Sequence, residues 1–233
     1  MGKKKMMMDK IISIWRLEGA WTYVLPFVFY VLAGDLTRLL FVGLDEYHIY
    51  IGYTIRTVVV GYLLFKSRTR YSELSRKYRK LDSTSLLTGI IIFILWVGLE
   101  GHYPTLFSSD TYYDPTTFNT SIATFLLLIR LVGSVLIAPL IEELFVRSFL
   151  MRYIINPKWE DVPIGTYTFE SFLIITLIFG FSHFQWLPGI LTAVLLNLLL
   201  YNRKSLFPCV VAHATANLLL LIYVVYTNSW FFY

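Results

Sequence analysis

Charged residues are scarce in this chain: they make up 15% of its 233 residues, against 57% hydrophobic residues. Soluble domains carry about 25% charged residues, so the composition favours an integral membrane protein. The single cysteine, Cys209, excludes an intrachain disulfide. The chain also lacks internal repeats and low-complexity tracts. Its net charge of +5 gathers in loops beside hydrophobic segments, so we do not expect nucleic acid as a partner.

The hydrophobic runs predict an all-α, polytopic membrane bundle with seven transmembrane helices. We expect one membrane-embedded domain over residues 1–233. The predicted spans are 21–42, 47–65, 84–101, 121–150, 169–186, 188–201 and 206–227. Residues 8–20 hold bulky apolar side chains among charges, which predicts an interfacial amphipathic helix before the first span.

The distribution of Lys and Arg between the loops predicts an orientation. The N-terminus and the 66–82 loop are strongly basic, whereas the 43–50 and 102–120 loops contain acids and no Lys or Arg. Cytoplasmic loops are enriched in Lys and Arg. We therefore expect the N-terminus to lie in the cytoplasm and the C-terminus on the opposite side of the membrane.

Two adjacent glutamates, Glu142 and Glu143, stand in an apolar run with Arg147 one helical turn further on. A carboxylate at membrane depth costs at least about 2.5–3.5 kcal/mol, which favours a functional role. Glu143 and Arg147 share a helix face and are predicted to form an ion pair. Glu142 points about 100° away and is predicted to face a cavity as a general base. A purely structural Glu–Arg pair is the alternative, and it leaves Glu142 unexplained.

Two further polar pairs follow at four-residue spacing in hydrophobic stretches. Phe179 lies one turn before His183 and could fix its ring; a lone histidine there would more often be a satisfied core residue. His213 and Asn217 project from one helix face and are donors suited to an oxyanion, provided that the histidine nitrogen carries hydrogen. An interhelical hydrogen-bond pair is the structural alternative for these two residues.

A zinc site is the main chemical alternative. Glu142, His183 and His213 could supply two histidines and a carboxylate. The chain has no His-Glu-x-x-His sequence, and the arginine beside the carboxylates disfavours an added dication. The prediction is therefore a site without metal or other cofactor.

These motifs resemble the CPBP family of intramembrane proteases, which includes type II CAAX-prenyl endopeptidases and bacteriocin-processing or immunity proteins. The family pattern is Glu-Glu-x-x-x-Arg, then Phe-x-x-x-His, then His-x-x-x-Asn or Asp. The three motifs described above meet this pattern in order within residues 121–220, the expected catalytic core. The run from Glu142 to Tyr153 resembles a bacterial branch found beside exosortase systems.

The resemblance implies a glutamate-dependent, metal-independent endopeptidase in a bacterial inner membrane. By family analogy Glu142 and His183 activate water and His213 and Asn217 bind the oxyanion. Glu143, Arg147 and Phe179 support the site. The implied partners are membrane lipids and a membrane-associated peptide or protein, with or without a lipid anchor. The alternatives are a zinc protease on the same fold, a non-catalytic immunity or scaffold protein, and a small transporter with an acidic proton relay.

Overall fold

The computed structural model describes residues 18–40, 47–75, 82–105 and 112–232, and within these ranges it contains helices and no strand. The long helices are α1 (Glu18–Leu40), α2 (Tyr47–Ser67), α3 (Ser83–Gly98), α4 (Thr120–Ile155), α5 (Phe169–Phe181), α6 (Trp186–Arg203) and α7 (Phe207–Thr227). Short 3-10 turns occur at Ser72–Leu74, Pro115–Thr117, Trp159–Asp161 and Trp230–Phe232. The all-α prediction is confirmed.

The helices are those of a membrane bundle. By length and composition α2, α4 and α7 can cross a membrane, whereas the apolar stretches of α1, α3 and α5 are shorter. Large apolar side chains are exposed on every long helix, which suits contact with lipid; examples are Leu39, Phe65, Ile94, Leu136, Phe169, Leu198 and Ile222. The count of seven spans stays a prediction. Of the predicted interfacial helix 8–20, only 18–20 are described, and they belong to α1.

Polar side chains mark the starts of three helices. Asp82 accepts a hydrogen bond from the backbone N–H of Ser85 at the start of α3. Asn119 caps α4 and Thr168 caps α5 in the same way. A side-chain acceptor at this position satisfies a backbone donor that has no partner inside the helix. These caps account for the close agreement between the predicted and observed starts of α3, α4 and α5.

Helix α4 is the longest helix, with 36 residues, and it is not a regular α-helix throughout. It widens into π-helical turns at Val132–Ile137 and at Glu143–Leu150. The first wide turn precedes Pro139, which lacks an N–H for the carbonyl one turn earlier. The second contains both Glu143 and Arg147. Such turns occur often at functional sites, and nothing in the apolar periodicity of the sequence predicted them.

The helices pack in pairs around α4, with α1 along α2, α3 along α7, and α5 along α6. The pair α5–α6 meets at Gly180 and Gly189, where a Cβ on Gly189 would lie 3.1 Å from the Gly180 Cα. Small residues allow this close approach. Helix α5 therefore ends at Phe181 rather than near 186, and His183 lies in the turn between α5 and α6 instead of inside a span.

Candidate active site

The predicted polar residues converge on one cavity of about 180 Å³ inside the bundle. Helix α4 contributes Glu142, the α5–α6 region contributes Phe179 and His183, and α7 contributes His213 and Asn217. Residues that are up to 75 positions apart in the sequence therefore line the same cavity. The cavity walls are otherwise mainly aromatic and aliphatic, and they include Ile92, Phe93, Trp96, Leu220 and Phe232.

Glu143 and Arg147 lie behind this cavity rather than on its surface. Both side chains are fully buried, and Arg147 Nη1 donates to the two Glu143 oxygens at 2.7 and 2.9 Å. The ion pair predicted from their spacing is present. The Arg147 guanidinium also lies 4.9 Å from the centre of the Phe179 ring. A buried carboxylate needs such partners because desolvation of an unpaired charge is costly.

The imidazole of His213 lies between the two glutamates. Its Nδ1 is 2.9 Å from Glu143 Oε1, and its Nε2 is 3.9 Å from Glu142 Oε2. Glu143, ionised beside Arg147, can only accept a hydrogen bond. His213 Nδ1 therefore carries the hydrogen of this contact, and Nε2 is the nitrogen that faces Glu142 and the cavity.

Glu142 differs from its neighbour in exposure and in its hydrogen bonds to the described residues. Its side chain is 18% exposed, whereas that of Glu143 is completely buried. The Oε2 atom is buried and has no hydrogen-bond partner among the described residues. Buried polar atoms are nearly always hydrogen-bonded. The exposed part of the Glu142 carboxylate faces the cavity, where it is suited to bind water or a substrate group.

Backbone and ring contacts hold His183 in place. Its Nδ1 lies 2.6 Å from the carbonyl oxygen of Phe179, and the two rings lie 4.6 Å apart between centroids. The edge of Trp96 approaches the same imidazole at 5.6 Å. Because a carbonyl only accepts, Nδ1 is the protonated nitrogen and Nε2 is left for the cavity. Phe179 thus contacts His183 through both its carbonyl oxygen and its ring, and its supporting role stays a prediction.

One of the two amide hydrogens of Asn217 makes a hydrogen bond to the backbone of α4. Its Nδ2 donates to the carbonyl oxygen of Ser134 at 2.8 Å, in the first π-helical turn of α4. The second N–H and the amide oxygen remain for the cavity that Asn217 lines. The contact fixes the amide against α4, one helical turn along α7 from His213.

The donor set does not form a metal cluster. Within 18–40, 47–75, 82–105 and 112–232, no group of three or more His, Cys, Asp and Glu side chains is placed to hold a metal ion. The cavity contains two histidines and one carboxylate, but Nδ1 of His213 is already hydrogen-bonded to Glu143. The absence of a metal cofactor stays a prediction.

Two arginines that were not predicted from the sequence lie in the cavity wall, Arg56 of α2 and Arg130 of α4. Each stands in an apolar run, and a charged residue inside a transmembrane segment is a signal of function. The sequence shows such charges at the two arginines as well as at the glutamates, but a role was predicted only for the glutamates. The rings of Tyr30 and Tyr53 complete this part of the wall.

The fold and the site define a class of protein: a helical membrane protein with a Glu–His–Asn site enclosed by its helices. Residues 122–219 match the family model described as type II CAAX prenyl endopeptidase, Rce1-like. The match covers 98 of the 233 residues and includes all three motifs. No curated protein and no solved structure shows a significant match to this chain.

The family match confirms the resemblance to CPBP and CAAX proteases over the segment that holds the motifs. It supports an endopeptidase of the CAAX type, and with the apolar helices it supports an integral membrane protein. A membrane-associated peptide is the substrate class that such a protease suggests.

Proposed function

We propose that this protein is an intramembrane endopeptidase in which Glu142 activates the attacking water. The main observation is the partly exposed Glu142 carboxylate in the wall of a cavity that also contains two histidines and an amide. A general base must lie within hydrogen-bond reach of the proton that it removes. Water bound at the exposed part of this carboxylate would meet that condition.

His183 is the second acceptor for the attacking water. Its Nδ1–H is used by the carbonyl of Phe179, so a neutral imidazole presents an unprotonated Nε2 to the cavity. Water held between this nitrogen and Glu142 would have its lone pair directed away from both acceptors. Glu142 then takes the proton as the oxygen attacks the substrate carbonyl, and returns it to the leaving amine.

The negative charge of the tetrahedral intermediate requires hydrogen-bond donors. Asn217 keeps one N–H for this purpose after its bond to Ser134. His213 already donates from Nδ1 to Glu143, so its Nε2 can donate to an oxyanion only when the ring is an imidazolium. Glu143 and Arg147 fix this ring orientation. We assign Asn217 and the imidazolium form of His213 to the oxyanion.

Direct attack by water agrees with the hydroxyls that line the cavity. Ser134 donates its hydroxyl to the carbonyl oxygen of Arg130 at 2.7 Å, and Thr192 Oγ1 has no hydrogen-bond partner among the described residues. Ser182 Oγ lies 3.3 Å from His183 Nδ1, but this nitrogen carries a hydrogen and the hydroxyl donates to the carbonyl oxygen of Phe179. An activated nucleophilic hydroxyl needs an adjacent base. We therefore propose hydrolysis without a covalent intermediate.

The substrate that we propose is a peptide or protein at the membrane, cleaved near its terminus, with or without a lipid anchor. The proposed location is a bacterial inner membrane, with the N-terminus in the cytoplasm, and the whole chain acts as one membrane-embedded domain. The family description names prenyl endopeptidases, so farnesylated peptides are the first substrates to test.

The test uses purified protein in proteoliposomes with a library of farnesylated cysteine peptides, each extended by three to five randomised residues. Mass spectrometry detects released peptides. The wild type is expected to cleave a subset, and Glu142→Gln is expected to lower the rate about 10²–10⁴-fold. Glu160→Gln is the matched control, because Glu160 is exposed in the loop after α4.

Each result bears on a different part of the proposal. Cleavage by Glu142→Gln at the wild-type rate would exclude Glu142 as the base. Failure of the wild type to cleave any of these peptides would exclude farnesylated cysteine peptides as its substrates. Activity that is lost with bound zinc and restored by adding it would favour the metalloprotease.

A further inference from the structure

A second cavity, of about 470 Å³, opens at the end of the bundle where α4 and α6 finish. Arg152, Lys204 and Glu73 supply its charged groups, and the loop before α5 supplies a further wall. The proposed hydrolysis uses none of these residues. We propose that this cavity binds the phosphodiester headgroup of an anionic phospholipid. Its volume is within the range of small-ligand sites.

Arg152 is the buried cation of the cavity, and it keeps donors for a ligand. The residue is 8% exposed, and its guanidinium lies 4.7 Å from the centre of the Trp159 ring. Its Nε donates to the carbonyl oxygen of Ser148, Nη2 to the Ser148 hydroxyl at 2.9 Å, and Nη1 to the carbonyl oxygen of Val162 at 3.3 Å. A guanidinium has five N–H groups, so two have no partner among the described residues. The fixed guanidinium can present them to phosphate oxygens.

Lys204 adds a second positive charge, in a backbone conformation that lysine seldom adopts. It is exposed at the end of α6, and its φ of 52° is left-handed. Glycine is the usual residue at such a helix end, because a side chain strains a left-handed backbone. The Lys204 Nζ donates to the carbonyl oxygen of Gly165 at 2.6 Å, and this bond holds the ammonium at the cavity wall. A lysine retained at a strained position indicates a use for its side chain.

Glu73 determines which charge fits the cavity. Its Oε1 accepts a hydrogen bond from the Ser148 hydroxyl, and its Oε2 accepts one from the Tyr23 hydroxyl at 3.3 Å. The carboxylate balances one of the two cations, so the described walls carry one positive charge in excess. A phosphodiester carries a single negative charge and accepts hydrogen bonds from both Arg and Lys. Basic pockets between transmembrane helices bind lipid headgroups of this kind.

The surroundings of the cavity favour a lipid over a free phosphate. Its wall includes the apolar side chains of Ile164 and Leu206. The loop that contains Ile164 continues into α5, where Phe169, Leu173 and Leu177 are exposed at four-residue intervals on one helix face. The acyl chains of a lipid held by its headgroup therefore have an apolar surface within reach.

The experiment measures ligand binding to the purified protein in a neutral detergent by native mass spectrometry. The probes are dioleoylphosphatidylglycerol, dioleoylphosphatidylcholine, whose phosphate carries its own cation, and inorganic phosphate. Lys204→Gly removes the ammonium and relieves the left-handed strain, so it is expected to fold; SDS unfolding without added lipid checks this. Lys204→Arg keeps the charge, and Arg152→Gln removes the deeper cation. Arg68→Gln is the matched control, because Arg68 is exposed in the same basic loop as Glu73 and does not line the cavity.

We expect the wild type to bind one phosphatidylglycerol molecule about 10-fold more tightly than phosphatidylcholine, the order of one charged hydrogen bond. Arg152→Gln and Lys204→Gly should each remove most of this preference. Lys204→Arg should retain it, and Arg68→Gln should leave it unchanged. If inorganic phosphate binds in a manner that depends on Lys204 and the two lipids bind equally, the bound group is a free phosphate.

Two results would overturn the site. One is equal binding of the two lipids by the wild type, together with phosphate binding that is the same in Lys204→Gly. The other is a lipid preference that a folded Lys204→Gly protein loses no more than Arg68→Gln does, because general basic charge would then explain the attraction. The Lys204 variants decide the question if Arg152→Gln does not fold.

Discussion

Replacement of Arg147 by methionine is expected to destabilise the fold and to abolish activity. Methionine has a similar length and no charge, so the change removes the guanidinium and keeps most of the volume. Glu143 would keep only His213 as a partner in a fully buried position. Breaking a buried ion pair in this way costs about 3–5 kcal/mol, because the remaining charge has lost its compensation.

A double variant separates the two roles of the pair. Glu143→Gln together with Arg147→Met removes both charges of the buried pair, and exchange of a buried pair for neutral groups is often close to neutral in stability. We expect the double variant to recover most of the free energy of unfolding. Activity should stay low, because a glutamine holds the Nδ1–H of His213 less strongly than a carboxylate does.

The assay is unfolding by SDS in mixed micelles, followed by tryptophan fluorescence, with peptide cleavage measured on the same samples. Arg203→Met is the control: its ion pair with Asp82 spans 3.0 Å, but the side chains are 34% and 24% exposed. An exposed pair contributes about 0–1 kcal/mol. A stable Arg147→Met protein that has lost activity would refute the structural argument and would assign Arg147 to substrate binding.

Further predictions concern the cavity and its walls. Asn217→Ala should lower kcat about 10²–10³-fold with little change in KM, as loss of an oxyanion donor does; an unchanged kcat in single-turnover cleavage would contradict that role. EDTA or phenanthroline should leave initial rates unchanged, and elemental analysis should find no stoichiometric zinc. Gly133→Ala should cost about 1–3 kcal/mol through overpacking against Tyr53, whereas Gly34→Ala should not, because nothing lies within 4 Å of its Cβ position; SDS unfolding compares the two variants.

The helices could be predicted from the sequence because apolar runs and capping residues act locally. Helix α7 was predicted over 206–227 and is observed as Phe207–Thr227. The end of α5 could not be predicted in this way. Polar and apolar residues alternate after Phe181, and the close approach of Gly180 to Gly189 joins two helices and has no local signal.

The candidate site was predictable as a set of residues and only partly as an arrangement. The four-residue spacing of Glu143 and Arg147 led directly to their ion pair, because that spacing places both side chains on one helix face. The contact of His213 with Glu143 joins positions 70 residues apart. No local pattern specifies such a contact, so the sequence could not show which imidazole nitrogen faces the cavity.

The arginines show a different limit of sequence reasoning. The cost of charge in a membrane marks Arg56 and Arg130 as functional wherever they stand, but it does not say that they face one cavity. Their common position depends on Gly133, which lets the Tyr53 ring lie between them. A glycine in an apolar helix is ambiguous until its neighbour is known. Once the helices are in contact, both guanidinium groups lie against the Tyr53 ring in the wall of one cavity.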